Sequence, residues 1–196
     1  MLGLSLALCL AGCGKGDHTA KTSSSDPQTS KLAAEPLKFP TIFDAAKVGD
    51  TDDVKRHMAR GFNPSSVDGE SYTPLHYAAS GGYSSTCQAL LEKGADVNIT
   101  TKDGLTALHC AAMTGNAETA TLLLSRGAKV EAPDNNQMTP LCTAALKGNV
   151  AVADVLLRAG ANVNYMATTQ WTPLRVAEYG KQPAMIDWLK SHGATQ

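Results

Sequence analysis

A seven-residue phrase returns along this chain at a constant step of 33 residues. Thr73-Pro74-Leu75-His76-Tyr77-Ala78-Ala79 comes back as Thr106-Ala107-Leu108-His109-Cys110-Ala111-Ala112, and again as Thr139-Pro140-Leu141-Cys142-Thr143-Ala144-Ala145. Thr172-Pro173-Leu174-Arg175-Val176-Ala177 is a decayed fourth copy. Gly61, Gly94, Gly127, Gly160 and Gly193 keep the same step, and so do GADVN at 94–98, GAKVE at 127–131 and GANVN at 160–164. Three markers in phase constrain the chain to a stack of like units. Each unit is too small to bury its own apolar face and is stable only against its neighbours.

Each marker has a physical reason. Thr73, Thr139 and Thr172 suit the N-cap of a first helix, with proline at the position where no amide donor is needed. The paired alanines let neighbouring units approach closely; a large side chain there would cost roughly 1–3 kcal/mol of overpacking. Leu90-Leu91, Leu123-Leu124 and Leu156-Leu157 fall near the end of a second helix, and the glycine that follows suits a left-handed cap. The period and the TPLHxAA phrase resemble ankyrin repeats. The resemblance runs over residues 40–196 and implies an all-α solenoid of about five helix-turn-helix repeats with projecting hairpin-like loops. Repeats are expected at about 36–68, 69–101, 102–134, 135–167 and 168–196. Only Gly104 keeps the family's glycine before the phrase; Ser71, Gln137 and Gln170 hold that slot elsewhere. In the last unit Glu178, Lys181 and Lys190 replace small or apolar residues, as a soluble terminal cap requires.

The amino-terminal segment is of another kind. Residues 2–13, LGLSLALCLAGC, form an uncharged apolar run. That is too short to span a bilayer, which takes roughly 20 apolar residues, but it suits the core of a secretory signal. Leu10-Ala11-Gly12-Cys13 resembles the lipobox of bacterial lipoproteins. The resemblance implies a signal peptide at 1–12, acylation of Cys13 and anchorage in the cell envelope. Gly14, in place of an aspartate, implies the outer membrane facing the periplasm. Residues 13–39, rich in Ser, Thr, Lys and Asp, carry too little apolar surface to offset ordering entropy and are expected to be a disordered tether.

Composition excludes some functions. The chain has 17 basic and 18 acidic residues, a net charge of −1. Binding nucleic acid relies on a basic face that releases phosphate counterions, and the interspersed charges offer none. No P-loop, GxGxxG, GxSxG or HExxH spacing occurs, so no catalytic residue, cofactor site or metal site is expected. His76, His109 and Cys142 are zinc-competent types at one repeat position. Packed helices stand roughly 8–10 Å apart, whereas ligands of one zinc lie within about 5 Å of each other. Structural histidines bonding a neighbouring loop are the better reading. Cys87, Cys110 and Cys142 are read as small buried thiols rather than as a Cys110–Cys142 bridge.

What remains is a surface. In the ankyrin family, partners contact the loop tips and exposed first-helix positions that form the concave face. Before each phrase stand Tyr72, Leu105, Met138 and Trp171; just past the alanine pair or its counterpart stand Ser80, Met113, Leu146 and Tyr179. All but Ser80 are apolar or aromatic, and an exposed row of this kind marks a contact site. The chain is expected to be a non-enzymatic monomer that binds a protein partner through Tyr72, Leu105, Met113, Met138, Leu146, Trp171 and Tyr179. It would touch a membrane through its lipid anchor alone. Inhibition of a toxin enzyme in the envelope, as by an immunity protein, and periplasmic chaperoning are alternatives for the same surface.

Overall fold

The computed structural model describes residues 27–167 and 171–195. The signal, Cys13, most of the tether and Gln170 lie outside the described residues. Among those described there are helices and turns but no strand: α1 (Pro27–Ala34), α2 (Ile42–Lys47), α3 (Thr51–Ala59), α4 (Pro74–Ser80), α5 (Ser84–Glu92), α6 (Ala107–Thr114), α7 (Ala117–Ser125), α8 (Pro140–Lys147), α9 (Val150–Arg158), α10 (Pro173–Tyr179) and α11 (Pro183–Ser191). From α2 onward they pair as five helix-turn-helix units. The first helices stack as one row, α2-α4-α6-α8-α10, and the second helices as another, α3-α5-α7-α9-α11. The chain is an all-α repeat solenoid.

Local chemistry starts each inner helix. The hydroxyl oxygens of Thr73, Thr139 and Thr172 accept the amide hydrogens of His76, Cys142 and Arg175 at 3.3–3.4 Å. Proline follows each of the three at a position that needs no donor. The alanine pairs 45–46, 78–79, 111–112 and 144–145 are completely buried between rows, as are Leu108 and Leu141. In the outer helices only the first leucine of each pair is core: Leu90, Leu123 and Leu156 are fully buried, while Leu91, Leu124 and Leu157 are half-buried. Burying such a side chain contributes about 1.5–3 kcal/mol, so the repeated leucines and close-set alanines hold the stack together with few aromatics.

The stretch expected to stay disordered as far as residue 39 does not. Its end folds as α1 and a following strap, which lie on α3. The reason is polar rather than apolar, which is why composition misses it. Asp53, with no exposed surface, accepts the amide hydrogens of Lys38 and Phe39, each at 2.9 Å. His57 Nε2 sits 3.1 Å from the carbonyl of Phe39, and Arg60 donates to the carbonyls of Ala33 and Glu35. Arg56 pairs with the Glu35 carboxylate at 3.0 Å. The strap therefore covers the open side of the first outer helix, where a preceding repeat would otherwise pack.

Candidate protein-binding surface

The loops before α4, α6 and α8 are short hairpin-like turns closed by their own main chain, and the same main-chain bond flanks α10. Asp68 N–H donates to Tyr72 C=O, Thr101 to Leu105, Asp134 to Met138 and Ala167 to Trp171, at 2.9–3.2 Å. The turn needs one residue with positive φ. Gly104 supplies it at 80°, but Ser71 and Gln137 take the same conformation at 63° and 62°. The family's glycine is thus replaceable here, and the loops before α4, α6 and α8 keep the positive φ at that slot. The Asp68 and Asp134 carboxylates help by accepting the amide hydrogens of Tyr72 and Met138.

These turns and the inner helices place the seven residues of the sequence-derived row in three settings. Tyr72 turns inward at the amino-terminal end. It stacks on Tyr77 with centroids 5.3 Å apart and meets the His76 ring edge-on at 5.7 Å. Leu105 is half-buried, and its carbonyl receives the imidazole of His76 at 3.0 Å. Met113, at the end of α6, is 42% exposed. The other four come together. Met138, Leu146, Trp171 and Tyr179 line one recess of ≈ 700 Å³ between the fourth and fifth repeats, with Val176, Asn135, Asn136 and Gln137. Trp171 and Tyr179 stand edge to face, 5.4 Å apart at 81°, and Tyr179 is 71% exposed. The sequence-derived row omits Val176, the three amides and Tyr77. Tyr77 and Val176 occupy the variable slot inside the repeated phrase, so the same 33-residue step could have found them.

Titratable groups on this face are spent on structure. The Tyr77 hydroxyl donates to the Asp68 carboxylate, and burial together with that bond pushes Tyr77 up to about 12. Lys47 Nζ lies 4.4 Å above the Tyr77 ring, a cation–π contact. His76 and His109 receive the amide hydrogens of Thr73 and Thr106 on Nδ1, so Nε2 carries the proton that each donates to the next loop, to Leu105 and Met138 at 3.0 Å. They bond neighbouring loops rather than ligate. Cys87, Cys110 and Cys142 are free buried thiols. Burial raises all three, Cys87 to about 12, which leaves the thiol rather than the nucleophilic thiolate. Among the described residues no three His, Cys, Asp or Glu side chains are grouped to hold a metal ion, and no helix is long and apolar enough to cross a membrane.

Comparison with known proteins agrees with this architecture. The family model for ankyrin repeats in three copies matches residues 42–134, and the single ankyrin repeat matches 136–167. An ankyrin repeat-containing protein of Schizosaccharomyces pombe is 44% identical over 64 residues, 33% of this chain and 31% of its own length. Human ankyrin repeat domain-containing protein 39 is 42% identical over 60 residues, 31% of this chain and 33% of its own length. The Arabidopsis thaliana potassium channel GORK is 47% identical over 49 residues, 25% of this chain and 6% of the channel. The chain thus spans about a third or less of the curated relatives it matches.

Proposed function

The chain belongs to the ankyrin-repeat family of protein–protein interaction modules, and from that premise we propose that it binds a partner protein through its concave face without performing catalysis. The observation that carries the reading is the recess between the fourth and fifth repeats. There Trp171 and Tyr179 form an open aromatic corner over Met138 and Leu146. Aromatic side chains in such settings are enriched at binding hot spots, where a truncation costs 2 kcal/mol or more. Capture of partners from cell extract by the full chain is the test, with Trp171→Ala plus Tyr179→Ala as the comparison. The double variant is expected to keep its circular dichroism and to lose roughly thirtyfold in affinity, the equivalent of ~2 kcal/mol. Unchanged capture would remove the concave face from the account.

The place of action in this proposal is the cell envelope. Leu10-Ala11-Gly12-Cys13, ending an uncharged run, supports lipidation at Cys13. Metabolic labelling with a fatty-acid analogue, compared between the native chain and Cys13→Ser, tests it. Equal labelling and equal membrane fractionation of the two would end the anchored reading without touching the binding one.

A further inference from the structure

We propose that the amino-terminal end of the stack is a second recognition site, separate from the concave face. There α3 reads a non-helical polypeptide segment of the pattern Glu-x-x-Lys-aromatic. Residues 35–39 fill the site in cis, as a latch that a partner's segment of like pattern replaces.

The residues under the strap are not those that a plain cap calls for. Asp53 stands in the column of Thr86, Thr119, Val152 and Met185, and His57 in that of Leu90, Leu123, Leu156 and Leu189. The first of these columns meets the preceding repeat: the Thr86 hydroxyl lies 2.7 Å from that of Thr51, and the Thr119 hydroxyl 2.9 Å from that of Ser84. Elsewhere in the stack both columns are buried threonine or apolar side chains. In the first repeat they are a carboxylate and an imidazole with no exposed surface, and the imidazole Nδ1 has no partner. Burying such groups costs stability that an apolar cap would not. What they supply instead is recognition of a main chain.

That recognition has a backbone part and a side-chain part. Asp53 accepts the amide hydrogens of Lys38 and Phe39, His57 meets the carbonyl of Phe39, and Arg60 donates to the carbonyls of Ala33 and Glu35. These bonds hold a backbone whatever its sequence. Sequence enters at three side chains. The Glu35 carboxylate pairs with Arg56 at 3.0 Å, the Lys38 ammonium pairs with Asp50 at 2.7 Å, and Phe39 rests half-buried on the core. Their order is the proposed pattern.

The latch is built to lift. No residue from 27 to 40 is fully buried. The strap is therefore held chiefly by hydrogen bonds and ion pairs, whose groups water satisfies once it leaves. A segment joined to the stack competes at the roughly millimolar effective concentration of a short link. A free peptide thus meets a filled site until the chain's own strap is disabled.

Lys38→Pro in the full chain disables it, by removing an amide that Asp53 accepts. The probe is a fluorescent synthetic peptide of residues 27–40. It is expected to bind the Lys38→Pro chain at least about tenfold more tightly than the native chain, and to lose about tenfold or more when Asp53→Ala is added. A peptide carrying Glu35→Lys should bind the Lys38→Pro chain more weakly, and random peptides selected on that chain should enrich an acidic residue three places before a basic-aromatic pair. Absence of binding, binding indifferent to Asp53→Ala, or enrichment without that pattern overturns the proposal. Binding that weakens in Lys38→Pro/Trp171→Ala/Tyr179→Ala would place the peptide on the concave face and overturn it too. Dimers of the native chain held by exchanged straps would make a second copy the occupant instead of a partner. Circular dichroism checks that the variants fold, and the native chain gives a readout that needs no variant. In urea below the unfolding transition, the amides of Lys38 and Phe39 should exchange faster than those of Leu90 and Leu123. Equal rates would mean that the strap lifts only when the whole stack unfolds, and the latch would be ruled out.

Discussion

The Nε2 atom of His76 lies 3.0 Å from the main-chain oxygen of Leu105 in the following repeat, while its Nδ1 receives the amide hydrogen of Thr73 at 3.1 Å. His109 repeats the arrangement toward Met138. Each neutral ring ties an inner helix to the next loop, so protonation at Nδ1 would break the cap. Burial lowers both pKa values below the ordinary histidine value. The unfolded chain, titrating near ~6.5, then binds more protons than the folded one as the pH falls below that value. Stability is accordingly full above about pH 6.5 and declines as the pH drops toward the lowered folded values. Urea midpoints measured between about pH 7.5 and 5 should fall for the native chain and fall less for His76→Gln/His109→Gln. Equal slopes would mean that the two rings do not couple the repeats to pH.

A second column of side chains bridges the repeats on the loop side, and one member is ill-suited to it. Asn98 accepts the amide hydrogen of Lys129 and donates to the carbonyl of Gly127; Asn164 does the same toward Thr195 and Gly193. Glu131 holds the intervening place. One of its oxygens accepts from Asn162, and the other is buried without a partner. Burial raises its pKa, so ionisation costs stability as the pH rises above the unfolded carboxyl value of ~4.3. Glu131→Asn would remove the buried charge and add a donor toward Gly160. It is expected to stabilise by about 1–2 kcal/mol at neutral pH, and by less near pH 4, in thermal or urea unfolding. A destabilised variant would show that the orphaned oxygen is not a cost.

Gly49, Gly82, Gly115 and Gly148 follow the inner helices at the repeat step, with φ between 71° and 79°, and Lys181 occupies the fifth place at 54°. A left-handed residue with a β-carbon is strained by roughly 1–2 kcal/mol, and glycine's extra unfolded entropy gives back about half. Lys181→Gly should therefore raise stability by about 0.5–1 kcal/mol, a modest rise in melting temperature. A lower melting temperature would locate the value of Lys181 in its side chain rather than in its backbone.

The stack was readable in the sequence because its physics is periodic. Capping threonine, close-set alanine and buried leucine each solve a problem that recurs every 33 residues, and the structure repeats the solutions at each site. The neighbourhood of Met138, Leu146, Trp171 and Tyr179 follows from the same step, since residues one period apart lie side by side. Two kinds of feature were not readable. Tyr72 has the same slot as Trp171, yet it stacks on Tyr77, because only the second repeat places a tyrosine in the variable slot beside it. The recess and the aromatic stack are thus different ends of one row, separated by single substitutions. The strap was hidden for another reason: it contributes main-chain amides, and amides have no signature in composition.

That strap gives the remaining prediction. Asp53 is the group it closes on: Oδ1 accepts from Lys38 at 2.9 Å and from Arg56 at 3.3 Å, and Oδ2 accepts from Phe39 at 2.9 Å. Burial opposes the ionised form, but the Lys38 and Phe39 amides and the Arg56 guanidinium outweigh it and hold the carboxyl below the ordinary aspartate value. The contribution is complete above ~3.9, the unfolded value, and is lost as the pH falls through the lowered folded one. At neutral pH, Asp53→Asn presents an NH₂ where one strap amide needs an acceptor. Leaving that buried donor unpaired costs about 1–3 kcal/mol. The loss should be local. Amide exchange at Lys38 and Phe39 is expected to quicken, and limited proteolysis to cut within 27–39, while α4 to α11 keep their protection. Quickened exchange throughout the stack would instead make the strap part of the cooperative core, and unchanged exchange at Lys38 and Phe39 would show that Asp53 does not hold it.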